Sequence, residues 1–170
     1  MRGRPLKSEI REKITALIDR LKFSYGYEIY KYYRQIFDNA TSRVIYYHLK
    51  KGCETGEFIM VNIKRVPGNF TWGDESERIY YTLGPFASTK QEWWKKTLTA
   101  EINPREINYN WNDEIYKRIE DIKSAARSAN NKEKLKLINK CNKLIKWVKE
   151  KTNSPEQFIK EIESVKLFLK

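Results

Sequence analysis

The chain is poor in the residues that most metal sites, covalent cross-links and membrane spans require. Its 170 residues include two cysteines, Cys53 and Cys141, and one histidine, His48. Two distant cysteines without Cys-x-x-Cys spacing exclude a disulfide framework and a cysteine-only zinc site, and one histidine excludes a multi-histidine centre. The expectation is therefore no metal and no cofactor. No apolar run approaches the roughly 18 residues of a membrane span, and no apolar stretch follows Met1–Lys7 to make a secretory signal. These absences point to an intracellular, cytoplasmic protein. Acidic side chains are also short in number, 22 Asp+Glu against 34 Lys+Arg, for a formal charge of +12. Such a charge repels itself and has to meet something acidic, most simply nucleic acid or an anionic membrane surface.

What is present suffices for a core, since 40% of residues are hydrophobic and 14% aromatic. The length fits one ordinary domain, or a small domain with a helical extension. Residues 1–88 hold 15 basic and 10 acidic side chains; residues 89–170 hold 19 and 12, and 16 of those 19 are lysine. Arginine, tyrosine and glycine concentrate in the first part, whereas the second reads as lysine-rich helix. The expected organisation is a basic arm over 1–7, a small domain over 8–86 and a helical region over 87–170.

After the arm, Ser8 opens an apolar pattern at Ile10, Ile14, Leu17, Ile18 and Leu21, whose spacings of three and four mark one helix face. Phe23–Gly26 ends it, with Gly26 expected in a left-handed turn. Ile29, Tyr33, Ile36 and Phe37 predict a second helix, which Asp38-Asn39 breaks. Thr41 or Ser42 can cap a third, in which Ile45 and Leu49 lie one turn apart while Arg43, Tyr47, Lys50 and Lys51 project oppositely. Gly52 and Gly56 are expected to close it. From Glu57 the period becomes two, with β-branched Ile59, Val61 and Ile63 on one strand face. Pro67-Gly68-Asn69 starts a turn, and a twelve-residue loop through Trp72 leads to a returning strand, Arg78–Leu83. Three short helices and a hairpin describe a winged helix-turn-helix. The fold class expected is mainly α with a small β-hairpin, followed by a C-terminal helical region.

In that region Thr89–Glu92 has capping-box spacing ahead of Trp93-Trp94. A helix from near Asn112 carries Ile115, Ile119, Ile122 and Ala126, and Asn130-Asn131 breaks it. A lysine-rich helix to about Lys151 follows. Ser154-Pro155-Glu156-Gln157 combines an N-cap, a proline at the first helical position and a capping-box glutamine. Phe158, Ile162, Val165 and Leu169 form the last apolar seam.

Three local sequences then converge. Tyr25-Gly26-Tyr27-Glu28-Ile29 resembles the Gly-Tyr-Glu-Ile segment of PadR-like winged-helix transcription regulators. Ile45-Tyr46 and Leu49-Lys50 fall where that family keeps its recognition-helix core, and Arg78-Ile79-Tyr80-Tyr81-Thr82-Leu83 resembles its returning wing strand. The resemblance covers roughly residues 8–84. Gly52 departs from it, standing where the family continues an apolar helix position, and the wing loop is longer; a wider archaeal-type winged-helix group fits equally well. The resemblance implies sequence-specific binding of double-stranded DNA by a homodimer; such a protein is expected in the cytoplasm, nucleoid-associated. It also implies that C-terminal helices mediate the dimer, here the Phe158, Ile162, Val165 and Leu169 seam.

On the third helix, Arg43 has the fork to contact guanine bidentately, Thr41, Ser42 and Tyr47 the hydroxyls for bases or phosphate, and Lys50 and Lys51 the charge for phosphate. An ordinary solvated face is the alternative. Tyr46 lies between the faces and reads as core. The wing offers Lys64, Arg65, Asn69, Thr71, Trp72 and Arg78, although Asp74, Glu75 and Glu77 argue against the whole loop lying on phosphate; Trp72 suits wing packing equally well. Arg2-Gly3-Arg4-Pro5 resembles the core tetrad of the AT-hook, in which two guanidiniums lie along a narrow A·T minor groove. A disordered basic terminus explains it as simply.

Seven tyrosines between Tyr25 and Tyr47 would stack single-stranded bases, but at helical spacing core packing is the plainer account. On the helix from Lys132 to Lys151, a lysine face opposes Leu137, Cys141, Leu144 and Val148. Solvation or a DNA-backbone track both fit it; a membrane anchor fits poorly because the apolar face is needed for packing. No catalytic constellation is legible. His48 sits on the third helix without a nucleophilic partner, and Asp113-Glu114 and Glu120-Asp121 have neighbouring cations to pair with. A small-molecule effector would need a pocket from Trp93, Trp94 and Trp111, which core packing explains as well. An architectural DNA-binding protein and a winged-helix protein-interaction module remain the alternatives to a regulator.

Overall fold

The computed structural model describes residues 8–37, 39–71, 73–88 and 104–170; the arm with Arg2, Gly3, Arg4 and Pro5, and also Asp38, Trp72, Thr89–Glu92, Trp93 and Trp94, lie outside the described residues. Two compact units emerge, Met1–Asn108 and Tyr109–Lys170. The division falls at Asn108 and not at Phe86, because Arg105 is tied into the first unit by bonds described below.

The first unit is a winged helix. Helices α1 (Glu9–Leu21), α2 (Gly26–Ile36) and α3 (Ser42–Thr55) precede strands β2 (Phe58–Phe70) and β3 (Gly73–Leu83), and a two-residue strand β1 (Ser24–Tyr25) lies between α1 and α2. The hairpin expected from the sequence is thus part of a three-stranded antiparallel sheet of order β1-β3-β2, with Ser24 opposite Tyr81 and Tyr25 opposite Tyr80. Two residues give no period to detect, so β1 is invisible to pattern reading.

The core joins all three helices to the sheet. Ile14, Leu17 and Ile18 of α1, Ile29 of α2, Ile45 and Leu49 of α3 and Phe58 of β2 are all fully buried. Burying such a side chain stabilises the fold by roughly 1.5–3 kcal/mol each, which fixes the inner face of α3 and leaves the opposite face outward. Arg11 Nη1 meets Glu57 Oε2 at 3.1 Å and links α1 to the start of β2.

Several local expectations are corrected. The positive φ that ends α1 belongs to Lys22, at 63°, whose N–H donates to the Ile18 carbonyl at 2.8 Å. Gly26 is instead the first residue of α2, where a Cβ would lie 2.9 Å from Tyr46 Cζ. Gly52 does not end α3 but lies within it under the Phe58 ring; Gly56, with φ 74°, is the left-handed cap.

The wing is a ribbon and not a long loop. β2 runs to Phe70 and β3 starts at Gly73, with Lys64 opposite Arg78 and Pro67 opposite Glu75. Proline is tolerated because β2 is an edge strand. A bulge between Met60 and Asn62 interrupts the alternation, so Ile59 and Val61 are buried while Ile63 is 61% exposed.

Tyr81 on β3 belongs to the same core, and burial, helped by Cys53 and Tyr46, pushes its phenol up to about 12. An unfolded chain ionises its tyrosines near pH ~10, so between about 10 and 12 the unfolded state binds fewer protons and stability falls as pH rises, by up to about 2 kcal/mol. Tyr81→Phe is expected to flatten that alkaline loss in urea unfolding at about pH 9 and about pH 11; an unchanged slope would assign the loss to other groups.

The second unit is three helices, α4 (Trp111–Arg127), α5 (Asn131–Lys151) and α6 (Glu156–Leu169). Asn110 caps α4 through Oδ1, accepting from Asn112 N at 3.1 Å. α4 ends at Arg127 with Ser128 as its C-cap, and Asn130 caps α5 in a capping box with Glu133, at 3.0 and 2.9 Å. The cap expected at Ser154 is absent: Pro155 holds the N-cap position without a side-chain bond, and Gln157 Nε2 donates to Tyr116 Oη at 3.2 Å. Phe158, Ile162, Val165 and Leu169 are 1–8% exposed, in a unit where α6 packs on α4 and α5. That seam is consumed inside the unit, so these four side chains are not available as an intersubunit surface.

Candidate nucleic-acid interface

The third helix owes its two faces to sequence spacing. Ile45, His48, Leu49 and Gly52 are buried, which turns Arg43, Tyr46, Tyr47 and Lys50 outward. Residues 43, 47 and 50 recur at four and three, and therefore share one stripe. Arg43 and Lys50 form no ion pair with a carboxylate among the described residues, so both charges face solvent. Tyr47 is 51% exposed and sets its ring edge-on to His48, at 5.1 Å between centroids.

The remaining α3 candidates, Thr41, Ser42 and Lys51, are exposed as well. Thr41 is the N-cap, its Oγ1 accepting from Val44 N at 3.4 Å, and Ser42 is the exposed first helical residue. Lys51 Nζ bonds Glu54 Oε2 at 2.9 Å, and that bond holds the Glu54 carboxyl below its usual range. The Lys51 ammonium is thus directed at its own helix, and Lys50 is the better placed of the two lysines.

Tyr46 is corrected from core to surface: it is 45% exposed, with its ring over Gly26 at the start of α2. Partial burial raises its phenol, and the nearby Tyr25 and Tyr27 hydroxyls add to the effect. Tyr27 is 53% exposed. Tyr46 and Tyr47 thus place donor hydroxyls on the exposed side of α3 with Arg43 and Lys50, and the Tyr27 hydroxyl lies near that of Tyr46. The sequence signal for this was Gly26, the only residue type that lets Tyr46 approach.

The wing residues do not form one cluster. At about 3.3 Å per residue, Asn69 lies roughly 17 Å along β2 from Lys64, so the ribbon distributes them along its length. Lys64 Nζ lies 5.9 Å from the Tyr80 ring centroid. Arg65 Nε is 3.4 Å from Glu77 Oε1, both exposed, so the acidic residues that argued against a fully phosphate-bound loop partly neutralise it. Asn69 and Thr71 are exposed at the tip. Arg78 is drawn inward, its guanidinium 4.6 Å from the Tyr25 centroid, and is a packing residue of the sheet more than a free contact.

Sequence reasoning missed Arg105 altogether. Its Nη1 and Nη2 bond Glu28 Oε2 and Oε1 at 2.8 and 3.1 Å, and its backbone N–H donates to Leu21 O at 2.9 Å. Ser24 Oγ donates to the same Glu28 at 2.7 Å. The bidentate pair raises the Arg105 pKa, chiefly through its hydrogen bond to Glu28. The guanidinium also lies 5.3 Å from the Tyr80 centroid. This knot holds the α1–β1–α2 corner on which Tyr25 and Tyr27 sit. Its partners are 77 residues apart, and no local pattern announces such a pairing.

His48 is 7% exposed on the inner face, with Nε2 3.5 Å from Ser8 Oγ. Trp111 packs edge-on to Tyr109 and Trp147, at 4.9 and 5.5 Å, with Lys151 over its ring, and is thereby used as core of the second unit. Among the described residues no group of three His, Cys, Asp or Glu side chains is arranged to hold a metal ion, and no helix is long and apolar enough to cross a membrane.

No family model matches the chain, and no curated protein matches it. Among solved structures it is similar to the crystal structure of Bacillus subtilis PadR in complex with operator DNA, at 16% identity over 96% of this chain and 100% of that one, with a TM-score of 0.36. A likeness at that level does not carry the function of that protein over to this chain.

Proposed function

We propose that the chain binds double-stranded DNA and reads its sequence through the outer face of α3, as a winged-helix transcription regulator. The observation that carries this reading is the stripe of Arg43, Tyr47 and Lys50, outward-facing and without carboxylate ion pairs among the described residues, on a helix whose other face is locked into the core. A helix so mounted fits the major groove, where a guanidinium reads guanine O6 and N7. Lys50 and the tyrosine hydroxyls then position the helix on phosphate. Lys64, Arg65, Asn69 and Thr71 extend the contact along the ribbon, and the Arg2–Pro5 arm adds a minor-groove strip. The PadR-like sequences at Tyr25–Ile29, Ile45–Lys50 and Arg78–Leu83 fit the same reading.

The homodimer in this proposal requires a surface other than the buried α6 seam. Leu167 and Phe168, 69% and 65% exposed on the outer side of α6, supply apolar area for one. Selection of bound duplexes from a random pool tests both parts. The expected result is an enriched motif, arranged as two inverted half-sites about one or more helical turns apart. Enrichment of single half-sites would remove the dimer. Equal affinity for every duplex would remove the regulator and leave an architectural protein.

A further inference from the structure

The excess charge of the second unit is confined to one helix. On α4, four cations face four carboxylates; on α6, two lysines face three carboxylates. α5 carries eight lysines against two glutamates. One of these, Glu133, is bound in the capping box, and the other, Glu150, lies in the last turn. On the neighbouring helices Arg118 meets Glu114 at 2.6 Å, Lys123 bonds Glu120 and Glu161, and Lys166 bonds Glu163 at 3.0 Å.

Lys132, Lys136, Lys140, Lys143 and Lys146 are all exposed and fall within about 120° of arc at 100° per residue. With a rise of 1.5 Å per residue the row spans about 21 Å. Like charges so close repel one another, and the row lies opposite an apolar face that Leu137, Cys141, Leu144 and Val148 already bury in the unit. That burial leaves Leu135, 66% exposed, as the large apolar side chain open on α5, which is too little apolar area for a lipid-facing stripe. The lysine arc also presents no aromatic ring for unstacked bases, since Trp147 is 6% exposed. Lysine ammoniums suit phosphate as point charges and lack the planar fork that reads base edges.

We propose that the outer face of α5 is a second binding surface, for the phosphate backbone of double-stranded nucleic acid, independent of sequence. It adds affinity and salt dependence to whatever α3 recognises. It does not depend on α3 being the reading helix.

The test is K136Q/K143Q/K146Q in the full chain, with K117Q/R127Q/K160Q as a control that removes equal charge from α4 and α6. Affinity for a random duplex is measured across salt concentrations, with circular dichroism to establish that each variant is folded. The α5 variant is expected to bind at least tenfold more weakly, and its salt slope to fall by about 2.7, or ~0.9 for each phosphate no longer neutralised. The control is expected to change affinity less than threefold. Preference for a selected duplex over a random one stays as in the parent. Unchanged affinity and slope, or an equal weakening in the control, would overturn the proposal. So would binding to phosphatidylserine vesicles that the α5 variant loses while duplex binding is kept. If R43E/K50E abolishes duplex binding and the α5 variant does not weaken it, this inference fails and the α3 reading stands. The reverse outcome sinks the α3 reading and leaves this one intact.

Discussion

R43E/K50E is expected to bind a selected duplex at least a hundredfold more weakly than the parent chain. Removing one bidentate guanine contact costs about 1–3 kcal/mol, and without Lys50 a further phosphate goes unneutralised. Each glutamate also sets a negative charge against the DNA backbone, so about 2.7 kcal/mol, or a hundredfold, is a lower figure. The two positions differ in kind. Arg43→Ala is expected to relax preference at one base pair, whereas Lys50→Ala weakens all duplexes alike and lowers the salt slope by about 0.9. Neither side chain contributes to the core, and Lys50 acts on Glu54 only as a nearby charge, so urea unfolding is expected to shift by less than about 0.5 kcal/mol. Unaltered DNA affinity in the double variant, with loss of a protein partner, would turn the unit into an interaction module.

The helices of this fold are legible in the sequence because their apolar stripes repeat every three to four residues over several turns. Arg43, Tyr47 and Lys50 are legible for the same reason: once Ile45 and Leu49 are assigned inward, the opposite face follows from helix geometry. What is not legible has three physical causes. β1 is too short to have a period, and it forms only because β3 is there to pair with it. The ribbon reads as a loop because Pro67, Gly68 and Asn69 are turn residues by propensity, but an edge strand tolerates them. The Arg105–Glu28 knot and the depth of the Phe158–Leu169 seam arise only in the tertiary structure. An apolar stripe says that a face is buried without saying by what, and here the cover is α4 and α5 of the same chain. Tyr46 shows the converse, since a position between two faces is decided by its neighbour, Gly26.

Gly52→Ala is expected to destabilise the chain by about 2 kcal/mol, although alanine is the better helix former. In an exposed helix interior the same change stabilises by about 0.8–1 kcal/mol. Position 52 is buried within α3, and a Cβ there would lie 3.0 Å from Phe58 Cγ and closer still to Cδ2 and Cε2. Phe58 is fully buried, so its ring has no free volume to turn into. Either the ring leaves its rotamer or α3 moves off β2, and overpacking of this kind costs about 1–3 kcal/mol, occasionally more. The sign is therefore diagnostic: a more stable Gly52→Ala in urea unfolding would mean that α3 and Phe58 do not meet as described. Phe58→Leu removes ring atoms from the contested space, so G52A/F58L is expected to be more stable than the sum of the single changes by at least about 1 kcal/mol. The same cycle bears on DNA binding. Phe58 opens β2 while α3 carries Arg43 and Lys50, so any shift of α3 that accommodates alanine moves the Arg43–Lys50 stripe relative to the wing. G52A is accordingly expected to weaken binding of a selected duplex while still folded, and F58L to restore part of that affinity.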